Sequence, residues 1–247
     1  MDLSEFVSSV FDFSDYGQLL PLVTNSLWAA AILGLVGGLI GVFVMMRDLA
    51  FAVHGIAELS FAGAALALLL GANVVLGSLA GSIAAALILA LLGLKARDRN
   101  SITGVIMPFG LGLGILFLAL YEGRSANKFG LLTGQIVAVD SVQLNLLAVC
   151  AAVVVVGLVV VWRPLTFASA DPELAQARGV PVGALSIVFM FLLGLSVALS
   201  IQVVGALLVL SLLITPAAAA LLVTSSPRLV VGLSVIFALV SAVGGIL

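Results

Sequence analysis

The sequence predicts an all-α polytopic membrane protein with about eight transmembrane helices, a short re-entrant segment and a short cytoplasmic helix. Of its 247 residues, 64% are hydrophobic and 8% are charged, whereas a soluble domain has about 25% charged residues. The mean hydropathy is +1.40. The apolar residues form successive runs of about 20, the length needed to cross a bilayer. Such a chain has too much apolar surface to hide from water in a soluble fold.

Residues 1–23 differ in composition from the rest of the chain. Acidic residues alternate there with Phe and Tyr, and no basic region precedes them. This pattern does not fit a secretory signal peptide and is typical of a segment lying at a membrane surface. We therefore expect an interfacial segment at the outer face over 1–23, followed by a single transmembrane domain over 24–247.

The apolar runs predict eight spans, and the basic residues predict their orientation. The spans are expected at about 24–46, 51–71, 74–94, 102–120, 141–162, 182–203, 205–223 and 229–247. Cytoplasmic loops are enriched in Lys and Arg. If the turn containing Arg47 is cytoplasmic, seven of the nine basic residues lie inside, and only Arg124 and Lys128 lie outside. The N-terminus is then predicted to be outside.

The apolar stretch "LLTGQIVAVD", residues 131–140, is too short to cross the bilayer. Non-helical backbone at membrane depth must be covered by protein. We therefore expect a re-entrant or tucked segment. A further crossing here would also place Arg163 and Arg178 outside.

The connection over 164–181, "PLTFASADPELAQARGVP", contains the signals of a short helix. Asp171 is a favourable N-cap and Pro172 suits the first helical position. Gly179 and the proline after it predict the end of the helix. The segment is either a plain interfacial connector or a docking site for a cytoplasmic subunit.

One ionisable pair lies within the second predicted span. His54, the only histidine, and Glu58 are four residues apart and so share one face of a helix. An acidic residue inside a span costs about 2.5–3.5 kcal/mol on insertion scales, so a partner is expected. Imidazole nitrogen with carboxylate oxygen suits a divalent first-row metal ion. The alternatives are a structural hydrogen bond between helices and a proton relay.

Several functions are disfavoured by the sequence. No basic patch favours nucleic acid as a partner. The chain has no GxxxxGK[ST] motif, so any ATP hydrolysis is expected on another polypeptide and the chain is not expected to be an enzyme. The single cysteine, Cys150, cannot form an internal disulfide.

Several stretches in order resemble the permease subunits of manganese/zinc/iron ABC importers. They are "GLIGVFVMMRDLAFAVHGIAELSFAGAALALLLG", "DRNSITGVIMPFGLGLGILFL", "LLTGQIVAVD", "ADPELAQARGVPVGAL" and "IQVVGALLVLSLLITPAAAALL". The resemblance covers about residues 24–245. Members usually continue past the stretch matching "VGGIL", so either the chain is truncated or its last helix is absent.

The resemblance implies a helical permease that works as a homodimer in the bacterial plasma membrane. Two cytoplasmic ATPase subunits and an extracytoplasmic metal-binding lipoprotein are the implied partners. The segment 171–180 resembles the loop that docks on the ATPase. The implied docking residues are Asp171, Pro172, Glu173, Leu174, Ala175, Arg178 and Gly179.

The resemblance also implies a role for the ionisable pair. Family members commonly have Asp and His four residues apart in the second span, on the metal path. This chain has His54 where Asp is common and Glu58 where His is common. The implied metal residues are His54 and Glu58, with zinc or manganese as transported ion, iron as a further possibility, and no permanently bound cofactor. The alternatives are a permease for a metal chelate, siderophore or cobalamin, and a proton-coupled metal carrier.

Overall fold

The computed structural model describes residues 16–95, 99–123, 130–131, 134, 139–206 and 208–246. The helices with defined bounds are α1 (Tyr16–Met46), α2 (Ala50–Leu69), α3 (Val74–Lys95), α4 (Arg99–Leu120), α5 (Ser141–Ala170), α6 (Pro172–Ala177), α7 (Val182–Val204), α8 (Val209–Val223) and α9 (Pro227–Gly244). Within these residues, seven helices are long and apolar enough to cross a membrane, and α8 is apolar but shorter. The all-helical fold class is confirmed.

Two helices extend beyond the predicted spans. Helix α1 begins at Tyr16, inside the predicted interfacial segment, and residues 1–15 lie outside the described residues. The location of that segment therefore stays a prediction. Helix α5 has 30 residues, which corresponds to about 45 Å and exceeds the hydrocarbon thickness of about 30 Å. The helix thus continues beyond the predicted span 141–162 to Ala170, and α6 follows it directly in the chain.

The predicted span 205–223 is a helix only from Val209 onward. Gly205 ends α7 with φ +83°, a left-handed conformation that favours glycine. The remaining 15 residues of α8 span about 22 Å, less than a bilayer core. Helix α8 therefore follows α7 after an irregular break.

The helices pack in two groups that meet at α7. Helix α2 packs mainly against α3 and α4, whereas α1 packs against α5, α8 and α9, and α7 contacts helices of both groups. The fully buried rings of Phe43 and Phe189 mark the core and lie 6.0 Å apart, and the partly buried ring of Trp162 lies 4.9 Å from that of Phe43. The turn between α1 and α2 joins the two groups.

Small residues bring α2 and α3 close together. A side chain on Gly63 would collide with the carbonyl oxygen of Gly77. Ser60 and Ser78, both buried, lie 2.9 Å apart through their hydroxyl oxygens and form a hydrogen bond between the two helices. Small residues and interhelical hydrogen bonds are what holds helices together in lipid, where hydrophobic attraction between them is weak.

The described parts of segment 131–140 pack against the bundle. Gly134 has φ +76°, and a Cβ there would lie 2.5 Å from the carbonyl oxygen of Val203 at the end of α7. The amide of Asn25 on α1 donates to the carbonyl of Val139 over 3.3 Å. Residues 132–133 and 135–138 lie outside the described residues, so the path between these points stays a prediction.

Candidate metal path and ATPase-docking helix

His54 and Glu58 lie one helical turn apart on α2. Nε2 of His54 is 3.6 Å from Oε1 of Glu58. The side chain of His54 is 30% exposed and that of Glu58 is 8% exposed. Among the buried residues that the structure describes, Glu58 is the only charged one. The pairing expected from the four-residue spacing is therefore present, with the imidazole on the more open side.

Helix α4 packs directly on the turn of α2 that contains Glu58. A Cβ on Gly110 would lie 3.0 Å from the amide nitrogen of Leu59 and 3.1 Å from the carbonyl carbon of Glu58. One turn nearer the start of α2, the methyl group of buried Thr103 lies against Gly55. The backbone of α2 at Glu58 is thus held close to α4.

The pair provides two ligand groups of the types that bind transition metals. Within the described part of the chain, no group of three or more His, Cys, Asp or Glu residues could hold a metal ion. A structural zinc site has four protein ligands, and a catalytic site has three with an open position. Two ligands suit an ion that is held briefly, with water or other groups completing its shell.

A second polar region lies between α2, α3, α5 and α7. It is a cavity of about 310 Å³, and its polar side chains are Ser78, Gln143 and Gln202. Nε2 of Gln202 is buried and makes no hydrogen bond with the residues the structure describes. Asp140 caps α5, and its carboxylate accepts a hydrogen bond from the backbone amide of Gln143 over 2.7 Å.

Helix α6 has the boundaries expected from its sequence. Oδ1 of Asp171 accepts a hydrogen bond from the amide of Leu174 over 2.9 Å. Pro172 occupies the first turn with Glu173. Arg178 is the C-cap and Gly179 follows with φ +80°. The short helix is therefore defined by its own caps.

The faces of α6 divide between the bundle and the surroundings. Ala175 is fully buried and packs with Ala168 of α5 and Leu185 of α7. Leu174 is 45% exposed. The other residues that the resemblance assigns to docking are also exposed, namely Asp171, Pro172, Glu173, Arg178 and Gly179. Ala175 thus attaches α6 to the bundle, and an apolar leucine and charged groups face outward.

The sequence does not predict the contacts of Arg47. From the sequence, this residue indicates only the orientation of the chain across the membrane. Its guanidinium donates to the hydroxyl of Ser169 over 3.3 Å and to that of Ser186. These partners are 122 and 139 positions away in the sequence. An arginine in a four-residue turn between apolar spans was the one available signal.

Comparison with known proteins decides the family. The model of the ABC 3 transport family matches residues 20–247. The chain belongs to this family. The resemblance drawn from the five sequence stretches is therefore confirmed, and so is the assignment as a transport permease.

Curated relatives in this family cover nearly the whole chain. The manganese transport system membrane protein MntC of Halalkalibacterium halodurans is 29% identical over 234 residues, which is 94% of this chain and 80% of the relative. The high-affinity zinc uptake system membrane protein ZnuB of Haemophilus influenzae is 28% identical over 232 residues, 93% of this chain and 88% of the relative.

A solved structure has the same fold. PsaBC from Streptococcus pneumoniae in complex with Fab superposes with a TM-score of 0.80 at 26% identity, covering 92% of this chain and 83% of the other. The arrangement of helices around His54 and Glu58 thus belongs to a known permease fold.

Proposed function

We propose that the chain is the transmembrane permease subunit of an ATP-driven importer for a divalent transition metal ion, zinc or manganese. The choice of a metal ion as the substrate rests on one observation. In a family of ABC transporters, this chain has a buried carboxylate paired with an imidazole inside a span. Relatives named as manganese and zinc transport proteins support it.

The metal passes along the face of α2 that has His54 and Glu58. It comes from the extracytoplasmic side, where the cavity with Gln202 and Gln143 offers amide oxygens. The carboxylate and the imidazole then replace part of the hydration shell of the ion. Because the described part of the chain brings only these two ligands together, the ion is held weakly enough to leave, which transport requires and a complete tetrahedral site would prevent.

The energy comes from separate ATPase subunits that dock on α6. Leu174 gives them an apolar contact and Glu173 and Arg178 give charged ones, while Ala175 keeps the helix attached to α5 and α7. The permease works as a homodimer, and an extracytoplasmic lipoprotein delivers the metal. In this arrangement the N-terminus is outside and the α1–α2 turn faces the cytoplasm.

Copurification from a bacterial membrane tests this function. We expect the tagged chain to retain an ATPase subunit, with ATP hydrolysis that rises when Zn²⁺ or Mn²⁺ and the binding protein are added. The more effective ion identifies the substrate. If the chain purifies without an ATPase and uptake stops with an uncoupler, the proton-coupled carrier replaces this proposal.

Two variants of one residue sharpen the test. Asp171→Ala removes the N-cap of α6, a loss of about 1 kcal/mol, so less ATPase subunit should be retained. Asp171→Asn keeps a capping side chain and should retain the wild-type amount. Equal retention by both variants would mean that the shape of α6 does not matter for docking.

A further inference from the structure

Arg47 connects the two chain segments that flank the docking helix. Its guanidinium donates to Ser169, near the end of α5, and to Ser186, near the start of α7. Helix α6 lies between these two partners in the sequence. The hydroxyl of Ser169 donates to the carbonyl of Leu165 over 2.6 Å, so its oxygen is oriented to accept from Arg47.

The same guanidinium also lies over an aromatic ring of α7. Its central carbon is 5.5 Å from the ring centroid of Phe189, within the range of a cation–π interaction. Phe189 is fully buried. The charge of Arg47 is therefore held by two hydroxyl groups and a ring on elements that lead into and out of α6, rather than by water alone.

Backbone hydrogen bonds join the turn that contains Arg47 to α2, the helix that has the metal residues. The amide of Leu49 donates to the carbonyl of Val44 over 2.9 Å, and that of Val53 donates to Leu49 over 3.1 Å, so the turn is continuous with α2. Asp48 closes the turn in a left-handed conformation, φ 53°. His54 follows Arg47 by seven residues, within the first turns of α2.

We propose that Arg47 is a positioning residue that transmits displacement of the docking helix α6 to α2, and thereby to His54 and Glu58. The inference rests on the proposed function. When the ATPase subunits move α6, the ends of α5 and α7 move with it, and their hydroxyl groups pull the guanidinium. Because α2 is a hydrogen-bonded helix that starts at the same turn, the ligand pair moves with Arg47.

A purely structural role for Arg47 makes a different prediction. An arginine that only stabilises the fold should, when replaced, lower thermal stability and the amount of assembled complex, but leave unchanged the metal ions moved per ATP hydrolysed by the surviving complex. A transmitting arginine should change that ratio. The ratio is therefore the decisive measurement.

The test uses the complete complex, permease with its ATPase and binding protein, in proteoliposomes. Metal uptake and ATP hydrolysis are measured in the same vesicles for Arg47→Gln and for Ser169→Ala/Ser186→Ala, which keeps the arginine but removes both acceptors. Arg163→Gln is the matched control, because this exposed arginine of α5 loses the same charge. Complex yield and melting temperature are recorded for each.

We expect Arg47→Gln to retain ATP hydrolysis but to move at least about fivefold less metal per ATP, the lower end of measured couplings between sites. The double serine variant should change in the same direction, and Arg163→Gln should match the wild type.

A wild-type ratio in both Arg47→Gln and the double serine variant would overturn the inference. If Arg47→Gln does not assemble, the serine variant decides alone. Absence of metal uptake by the wild-type complex would instead overturn the proposed function, and this inference with it.

Discussion

At the scale of single residues, the position of Glu58 calls for an explanation. A carboxylate at the centre of a span costs about 2.5–3.5 kcal/mol, and such residues mark ion pathways or find partners. The partner here is His54, whose nitrogen lies 3.6 Å away on the same helix. A structural bond between helices would need a partner on another helix. Pairing within one turn of α2 ties no second helix, and it leaves both groups available to an ion.

Removing the charge of Glu58 without changing its size should stop transport. We expect Glu58→Gln to lower metal uptake by about 10- to 100-fold, the cost of losing even a residue that supports a metal ligand. Complex assembly should be unchanged, because the amide occupies the same volume. Uptake of radioactive Zn²⁺ or Mn²⁺ into cells measures the effect, and the double variant His54→Ala/Glu58→Ala should have no uptake.

The control for this prediction is Glu122→Gln, the same chemical change at an exposed position after α4. It should transport at the wild-type rate. Normal uptake by Glu58→Gln would exclude a charged ligand at this position, and normal uptake by the double variant would exclude the pair from the metal path.

Residue spacing explains which parts of the site could be predicted from sequence. His54 and Glu58 are i and i+4, so any helix over this segment brings them together. Asp171 and Gly179 mark the ends of α6 through local backbone preferences. Arg47 and its serines are separated by more than a hundred positions, and only the packing of α1, α5 and α7 brings them into contact. No local pattern contains that information.

At the scale of elements, α2 is held by close backbone contacts on two sides. Gly63 allows α3 to approach and Gly110 allows α4 to approach, the latter at the turn containing Glu58. The sequence does not predict which glycine makes the close contact, because "GLGLG" at 110–114 contains several glycines and nothing in it distinguishes them. In the structure, a Cβ at Gly110 would meet backbone atoms, whereas one at Gly112 would meet nothing within 4 Å.

This difference predicts opposite effects for two neighbouring substitutions. Gly110→Ala should lower the free energy of unfolding by about 1–3 kcal/mol, because the added methyl group separates α4 from α2. Gly112→Ala should raise it by about 0.5–1 kcal/mol, since alanine loses less backbone entropy in a helix. Thermal unfolding of the purified permease in detergent measures both. A similar shift for the two variants would contradict the packing described here.

The bilayer determines which segments form spans, whereas local packing determines where several of the helices begin and end. The apolar runs predicted the spans because each must supply about 20 residues to the bilayer. The extension of α5 to Ala170 was not predicted, because "RPLTFASA" (163–170) is mixed in polarity and contains Pro164. The late start of α8 was not predicted either, since it depends on the left-handed conformation of Gly205.

At the scale of the whole molecule, the α1–α2 turn and α6 must face the same side of the membrane if Arg47 contacts both flanks of α6. The distribution of Lys and Arg predicts that this side is cytoplasmic. The proposed docking of an ATPase on α6 requires the same side. Both therefore predict an orientation with Glu122 outside and Ser225, in the α8–α9 connection, inside.

Single-cysteine labelling tests this orientation on the intact chain. Cys150 is first replaced by Ala, a small residue suited to its partly buried position in α5. Cysteine is then introduced at Glu122 or Ser225, both exposed. In intact spheroplasts, a membrane-impermeant maleimide should label Glu122→Cys and leave Ser225→Cys unlabelled until the membrane is permeabilised.

The reverse pattern would place α6 outside, where no ATPase could reach it, and would remove the basis for coupling through Arg47 as well. Labelling of both positions in sealed spheroplasts would place both outside, which requires an even number of crossings between them. It would therefore contradict the three crossings, by α5, α7 and α8, that this orientation requires.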